Sequence, residues 1–196
     1  MFYEVKLSPG ECGLLASMIG QPLERVATDG WAVELRVGSM LLSIIPEEIA
    51  TPDADHPYGD VERPLVQLGV EPQPPEDVKV VGERLGMIRA VKLVSILIGF
   101  SPVVDFPPEE ILPGVMLPAG RGYGWVYYPP GQREQAEQEA GAGALVDLDI
   151  AFELVTDECP SLVVYTRGFF VHANMQGLPS AEDWVAFGAY MRRSVS

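Results

Sequence analysis

The chain has 196 residues and a hydrophobic content of 47%, enough to bury the core of one domain or of two small lobes. Its 28 acidic side chains outnumber its 13 basic ones, and the formal net charge of −15 disfavours binding to DNA or RNA, because an acidic field repels phosphate backbones. The 20 glycines and 18 prolines predict many turns, which suits a β-rich fold more than a helical bundle.

The N-terminus, the cysteines and the most apolar stretch predict the cellular location. The Met1 start lacks a basic segment followed by an apolar run, so we expect no signal peptide. Cys12 and Cys159 are too few for a disulfide framework and are expected to stay reduced. Arg89 and Lys92 interrupt the most apolar stretch, which is thereby too short for a membrane span. These features predict a soluble cytoplasmic protein.

The chain opens with a predicted strand, Phe2–Leu7, followed by a well-marked helix start. Ser8 can accept hydrogen bonds from the first helical N–H groups, Pro9 suits the first helical position, and Glu11 stands where a capping box requires an acid. Gly20 fits the left-handed stop of the helix. Its apolar stripe consists of Leu14, Leu15, Met18 and Ile19.

The segment Trp31–Ile45 predicts a β-hairpin. Apolar and polar residues alternate on both sides of Gly38 and Ser39, which suit a two-residue turn with glycine at a positive φ. The register that places all the apolar residues on one face pairs Val37 with Met40, Leu35 with Leu42, and Val33 with Ile44.

Residues 46–64 are acidic and interrupted by prolines, which predicts a loop, followed by a short strand at Leu65–Val70. The loop contains candidate cation ligands, but proline and glycine occupy the wrong positions for a calcium loop, and one histidine is too few for zinc. We therefore expect a solvated loop and no metal site. The candidate ligands are Asp53, Asp55, His56, Asp60 and Glu62.

Three prolines within five residues make Glu71–Asp77 a stiff, extended connection. We expect residues 1–196 to form a single domain. The alternative organisation has two lobes, 1–70 and 78–196, that are joined by this connection and share one core.

The most apolar stretch, Met87–Phe100, predicts the central strand. From Leu93 onward the only polar side chain is Ser95, so both faces of the strand are apolar, as in a strand covered on both sides. Its β-branched residues favour a strand over a buried helix. The prolines that follow, in residues 101–119, predict an irregular loop.

The segment Gly120–Tyr128 combines three glycines with one arginine and four aromatic residues. Its glycine spacing differs from that of a dinucleotide-binding loop. We expect a flexible loop in which Arg121 binds a carboxylate while Tyr123 and Trp125 stack on an apolar ligand. The alternative is a glycine-kinked edge strand whose aromatic residues pack on the core.

The segment Leu145–Thr156 alternates apolar and mainly acidic residues, which predicts a half-buried strand after a short exposed helix in residues 132–144. Asp147, Asp149 and Glu153 are expected to face solvent, a reading preferred to a metal or acid–base site. The residues expected to face the core are Val146, Leu148, Ile150, Phe152 and Leu154.

A second strand, Leu162–His172, should pair with the first and end at two more candidate site residues, His172 and Asn174. His172 could act as a general base, or it could simply bond to the backbone at the strand end. No nucleophile elbow or other nucleophile motif accompanies it. We group His172 and Asn174 with Arg121, Tyr123 and Trp125 as the predicted ligand-binding residues.

The last element is expected to be a helix that begins at Ser180 and carries Arg192 and Arg193 in its final turn. Its predicted buried stripe consists of Trp184, Phe187, Gly188 and Met191. The predicted fold class is therefore α+β: a largely antiparallel β-sheet with two capped helices packed on it.

The sequence predicts only the general class of function. The acidic charge favours a non-enzymatic binding module for a basic protein partner or a small ligand, with no cofactor and no nucleic acid or membrane partner. The alternative is a small enzyme that uses His172 with a nearby acid and the Arg121 loop. The sequence does not define an oligomeric state.

We predict that the protein contains no structural metal. A chelator should leave the melting temperature unchanged, and the purified protein should carry no stoichiometric ion, because the acidic loop lacks calcium-loop spacing and histidine and cysteine are scarce. A drop of several degrees on adding the chelator would contradict this.

Overall fold

A computed structural model describes residues 2–50, 60–69, 78–106, 109–112, 115–117, 120–128, 132–140, 145–158, 162–167, 170–174 and 191–195. These residues form a sheet-rich structure with two helices and mainly antiparallel pairing, in agreement with the predicted α+β class. In chain order the described elements are β1 (Phe2–Val5), α1 (Pro9–Ser17), β2 (Leu23–Thr28), β3 (Val33–Val37), β4 (Met40–Ala50), β5 (Asp60–Leu68), β6 (Lys79–Glu83), β7 (Ile88–Phe106), β8 (Glu109–Leu112), β9 (Val115–Leu117), β10 (Gly120–Tyr128), α2 (Arg133–Ala140), β11 (Leu145–Thr156), β12 (Leu162–Arg167), β13 (Phe170–Asn174) and β14 (Met191–Ser194).

Helix α1 begins with the predicted capping box. The Glu11 N–H donates to Ser8 Oγ at 3.3 Å, and the Ser8 N–H donates to Glu11 Oε2 at 2.8 Å. Two otherwise unpaired N–H groups are thereby satisfied reciprocally. Gly20 adopts a φ of +82° after the helix, and its N–H donates to the Ile88 carbonyl at 2.8 Å. The predicted helix is confirmed, except that Ile19 of its predicted apolar stripe is exposed and follows the end of the helix.

Strands β7 and β11 form the centre of a seven-stranded sheet with the order β10-β7-β11-β12-β13. Strand β14 also pairs with β7, and β1 pairs in parallel with β11. The central position of β7 is confirmed, and residues from Val91 to Gly99, except the partly exposed Lys92, are buried. Because each central strand has neighbours on both sides, neither strand is an edge of the sheet.

Strand β11 is buried more completely than its alternation predicts. The five apolar residues expected in the core are all buried, but Asp149 and Glu153 are buried too, at 0% and 6% exposure. A register shift between Asp149 and Ala151 changes the phase of the strand, so that Phe152 packs in one apolar cluster, which we call the first, and Ile150 in another, the second. The prediction that these acids face solvent is wrong, because apolar clusters cover both faces of β11.

The second sheet has five strands in the order β5-β4-β3-β2-β6. Its β3–β4 hairpin has the predicted register, and Gly38 adopts a φ of +54° in the turn. One face packs in the first cluster through Val26, Leu35 and Leu42, together with Leu93 of β7. We call the opposite face of β3, β2 and β6 the outward face.

The predicted loop at 46–64 is partly wrong, because β4 extends to Ala50 and β5 begins at Asp60. Pro46 and Pro64 lie directly opposite each other in this pair. The first residue of β3, Val33, lies opposite Ile44, so Pro46 lies beyond the paired part of β3. Pro64 lies on β5, which is an edge strand among the described residues. Neither proline therefore removes a ladder hydrogen bond that the described strands need.

The β4–β5 hairpin contributes to both apolar clusters. Ile44 and Val66 pack in the first cluster, whereas Ile49 and Val61, on the opposite face of the same strands, pack in the second. The hairpin therefore covers parts of both faces of the seven-stranded sheet. The two core clusters depend on residues that are distant in sequence.

Three further predictions differ from the structure. The predicted irregular loop contains the end of β7 and the β8–β9 hairpin. The single strand predicted at Leu162–His172 is two strands, β12 and β13, that pair with each other. The predicted final helix is wrong at its end, because Met191–Ser194 is strand β14; the rest of the segment for which a helix was predicted, residues 180–190, lies outside the described residues. Its Arg192 and Arg193 are paired with Val94 and Leu93 of β7 instead.

The predicted connection at 71–77 lies outside the described residues, and the division into one domain or two lobes stays a prediction. Strands from both sides of this connection occur in each large sheet, since β6 pairs with β2 and β1 with β11. Neither helix in the described part of the chain has the length and apolar character required to cross a membrane.

Phe152→Ala should lower the free energy of unfolding by about 3–5 kcal/mol, because the ring is fully buried in the first apolar cluster. Chemical denaturation measures the loss. Leu68→Ala is the control, since Leu68 is 62% exposed and should change stability by less than about 0.5 kcal/mol. A loss below about 1 kcal/mol for Phe152→Ala would show that the core is wrongly assigned.

Candidate functional site

The five residues predicted to bind a ligand lie on two strands of the seven-stranded sheet. Arg121, Tyr123 and Trp125 are in β10, whereas His172 and Asn174 are in β13. Strands β7, β11 and β12 lie between them in the sheet order, which corresponds to about 19 Å at the usual strand spacing. The three predicted residues of β10 therefore share one strand and the two of β13 share another, but the two strands lie apart. The ligand-binding role of these residues stays a prediction.

The backbone of Gly120–Tyr128 is a strand and not the predicted flexible loop. It pairs with β7 alone among the described residues, so it has the position of the glycine-kinked edge strand considered as the alternative. The register shifts between Gly122 and Gly124, opposite Ser101 and Val104. Pro102 lies within the extra part of β7 at this bulge, which is a position that tolerates proline in a sheet.

A buried polar cluster surrounds Asp149, where an acid–base or metal site was considered. Its Oδ1 accepts a hydrogen bond from Ser95 Oγ at 2.5 Å, and its Oδ2 accepts one from the Leu7 N–H at 3.0 Å. Lys6 Nζ lies 3.3 Å from Asp149 Oδ1 and also pairs with Asp147. Because both oxygens of Asp149 already have partners and its side chain is fully buried, this cluster is a structural one.

A second buried cluster joins Glu11 of α1 to the other sheet. Glu11 Oε1 accepts hydrogen bonds from Arg63 Nη1 at 2.9 Å and from the Val66 N–H at 3.0 Å. Arg63 Nη2 also lies 2.5 Å from Glu47 Oε2. Burial alone raises the pKa of Glu11, but its bonds with Ser8, Val66 and Arg63 outweigh that effect and lower the pKa below its ordinary value.

The most accessible candidate site lies at the turn between β2 and β3, residues Thr28–Ala32, which we call the Trp31 turn. The Trp31 side chain is 62% exposed although its backbone is firmly held. Asp29 Oδ1 accepts hydrogen bonds from the Trp31 and Ala32 N–H groups, each at 2.8 Å. Thr28 Oγ1 donates to the Ala32 carbonyl at 2.8 Å and accepts from the Gly30 N–H at 3.0 Å. The turn therefore presents an exposed indole on a fixed backbone.

A shallow cleft adjoins the Trp31 turn on the outward face of the five-stranded sheet. It holds about 210 Å³, including the open space at its mouth. Its lining consists of Ala27, Thr28, Asp29, Ala32, Glu34 and Val78. Val80 lies directly opposite Ala27 on the edge strand β6 and is 42% exposed. The combination is a small cavity with two carboxylates beside exposed apolar side chains.

The alternation of apolar residues predicted that Trp31 belongs to the hairpin strand, so this site was not predicted. The strand begins only at Val33, and the preceding residues form the turn. Asp29 followed by Gly30 was the available signal, because an Asp-Gly pair marks a turn, and Gly30 indeed has a φ of +93°.

The described residues include no group of three or more histidine, cysteine, aspartate or glutamate side chains placed to hold a metal ion. Asp53, Asp55 and His56 of the acidic segment lie outside that part of the chain.

The buried carboxylate of Glu11 should make stability depend on pH. Its lowered pKa means that the ionised form stabilises the fold above its ordinary pKa of 4.5, and that this stabilisation is lost as the pH falls through the lower folded-state value. Glu11→Gln should therefore cost on the order of 3 kcal/mol at pH 7, where Arg63 loses its partner, and less at pH 3. Urea denaturation of both proteins at the two pH values measures the difference. A difference that stays constant between them would contradict the assignment.

No family model matches the chain, and neither the curated proteins nor the solved structures contain a significant match to it.

Proposed function

We propose that the protein is a non-enzymatic binding module that docks a basic segment of a partner protein at the Trp31 turn. The observation that carries the proposal is an exposed tryptophan on a turn whose backbone is fixed by hydrogen bonds and whose neighbouring residues line a cleft with two carboxylates. Tryptophan is enriched among the residues that dominate binding energy, and a fixed backbone reduces the entropy lost on association.

The size of the cleft favours one side chain over a whole small ligand. Sites for small molecules usually enclose about 300–1,000 Å³, more than the roughly 210 Å³ found here. Because this volume includes open solvent, the cleft is shallow and can contact only the end of a side chain. A protein partner that inserts a single side chain is therefore favoured over an isolated small ligand.

The charges around the cleft favour a cationic side chain. Asp29 uses Oδ1 for the turn, whereas its Oδ2 has no partner among the described residues. Glu34 forms no ion pair there either and is partly exposed. A guanidinium or ammonium group between these carboxylates would form charge-assisted hydrogen bonds, and the indole face can add a cation–π contact.

The net charge of −15 acts in the same direction over longer distances. It raises the rate of encounter with a basic partner and suppresses binding to acidic ones. We propose the cytoplasm as the location of this interaction, because two cysteines that are far apart in sequence make no disulfide framework.

The enzymatic alternative would need Arg121 and His172 in one site. Their strands are separated by three others in the sheet order, so that alternative gains no support. No cofactor is needed for the binding role.

Trp31→Ala should weaken binding of a fluorescein-labelled octa-arginine peptide at least tenfold, measured by fluorescence anisotropy at low salt. The substitution leaves the net charge unchanged, so a loss of affinity reports the indole contact and not general electrostatic attraction.

Leu68→Ala is the matched control, because Leu68 is also 62% exposed but lies on β5, at the opposite edge of the sheet from β6. It should bind as the wild type does, and Glu34→Gln should weaken binding several-fold. Equal affinities of the wild type and Trp31→Ala would refute docking at this turn.

A further inference from the structure

The Trp31 turn contains the only Asp-Gly pair of the chain, Asp29 followed by Gly30, and the chain has no Asn-Gly pair. Asp-Gly is the aspartate-containing pair most prone to form isoaspartate, in which the chain continues through the side-chain carbon. The reason is that glycine has no Cβ to shield its backbone nitrogen from the neighbouring carboxyl group. Asp29 is exposed, so water reaches the pair. The turn therefore has the sequence and the solvent access that this modification requires.

The reaction closes a ring and then opens it. The Gly30 nitrogen attacks Cγ of the protonated Asp29 carboxyl group, a C–N bond forms, and the nitrogen proton leaves with the hydroxyl group as water. Water then adds to one of the two carbonyl carbons of the five-membered succinimide and returns a proton to the nitrogen. Breaking the new C–N bond restores aspartate, whereas breaking the original peptide bond gives isoaspartate. The reaction needs no oxidant and no cofactor, and it leaves the mass of the chain unchanged.

Hydrogen bonds hold both reacting groups in the folded turn. The Gly30 N–H donates to Thr28 Oγ1 at 3.0 Å, and the same hydroxyl donates to the Ala32 carbonyl at 2.8 Å. Asp29 Oδ1 accepts from the Trp31 and Ala32 N–H groups, each at 2.8 Å. Ring closure requires the nitrogen to lose its proton and the carboxyl group to leave its two donors. The turn must therefore open before the reaction can proceed.

We propose that Asp29 is a site of spontaneous isoaspartate formation and that the hydrogen bonds of Thr28 and Asp29 suppress the reaction while the turn is closed. In isoaspartate the former side-chain carbon carries the peptide bond, so the carboxylate that accepts the Trp31 and Ala32 N–H groups is consumed. The connection between β2 and β3 also becomes one carbon atom longer. The modification would thus release the turn that fixes Trp31. The site itself depends on this chemistry alone, and only its effect on binding rests on the proposed docking function.

The first test compares the folded wild type with the same chain unfolded in urea, both incubated at about pH 6, where a small fraction of an ordinary carboxyl group is still protonated. Trypsin releases the peptide 26–36, whose only aspartate is Asp29. Electron-transfer fragmentation of this peptide distinguishes isoaspartate from aspartate. We expect isoaspartate to accumulate in the unfolded chain at least about tenfold faster than in the folded one, because the folded turn opens only transiently.

Thr28→Val tests the hydrogen bonds directly. It removes the acceptor of the Gly30 N–H and the donor to the Ala32 carbonyl, and it should raise the rate in the folded protein about tenfold, because two hydrogen bonds no longer oppose opening. Thr28→Ser is the matched control, since it keeps the hydroxyl and should react as slowly as the wild type. Melting temperatures show that each variant is folded, and Thr28→Ala replaces Thr28→Val should the latter fail to fold.

Three outcomes would overturn the proposal, and none of them depends on a binding measurement. If the unfolded chain forms no isoaspartate at Asp29, the residue is not a modification site. If the folded and unfolded wild type react at the same rate, the turn does not suppress the reaction. If the folded variant that lacks the Thr28 hydroxyl reacts as slowly as Thr28→Ser, these hydrogen bonds are not what protects Asp29.

Discussion

Two buried carboxylates, Asp149 of β11 and Glu11 of α1, bond the segment around the start of α1 to the two sheets. Asp149 of β11 accepts the Leu7 N–H just before the helix, and Glu11 in its first turn accepts the Val66 N–H of β5 and binds Arg63. One short segment is thereby bonded to the centre of the seven-stranded sheet and to the edge of the five-stranded sheet. A buried charge without partners would be strongly destabilising, so these contacts define the arrangement of the surrounding strands.

The proposed binding surface depends on that arrangement. With one face of the five-stranded sheet packed in the first apolar cluster, the opposite face remains outward, and the cleft and the Trp31 turn are located there. The hydrogen bonds of Thr28 and Asp29 fix the turn, while the packed sheet fixes its direction. The exposed indole is thus supported by a rigid scaffold, which is what a recognition residue requires.

Local patterns predicted the fold where local contacts determine it. The capping box of Ser8 and Glu11 and the β3–β4 register follow from adjacent residues and the Gly38 turn. The burial of Asp149 could not be predicted, because its hydrogen-bond partners Leu7 and Ser95 lie 142 and 54 positions away in sequence. The contact of Glu11 with Arg63 joins residues 52 positions apart. The exposure of Trp31 depended on where β3 begins, and strand boundaries are weakly encoded by alternation alone.

Hydrogen exchange at the Leu7 and Val66 amides tests the account most directly, because each N–H donates to one of the two buried carboxylates. If these contacts join the sheets, both amides should exchange only through global unfolding, with the same free energy as the slowest amides of β7 and β11. Exchange of either amide by local opening, several kcal/mol below the global value, would contradict the claim that this segment holds the two sheets together.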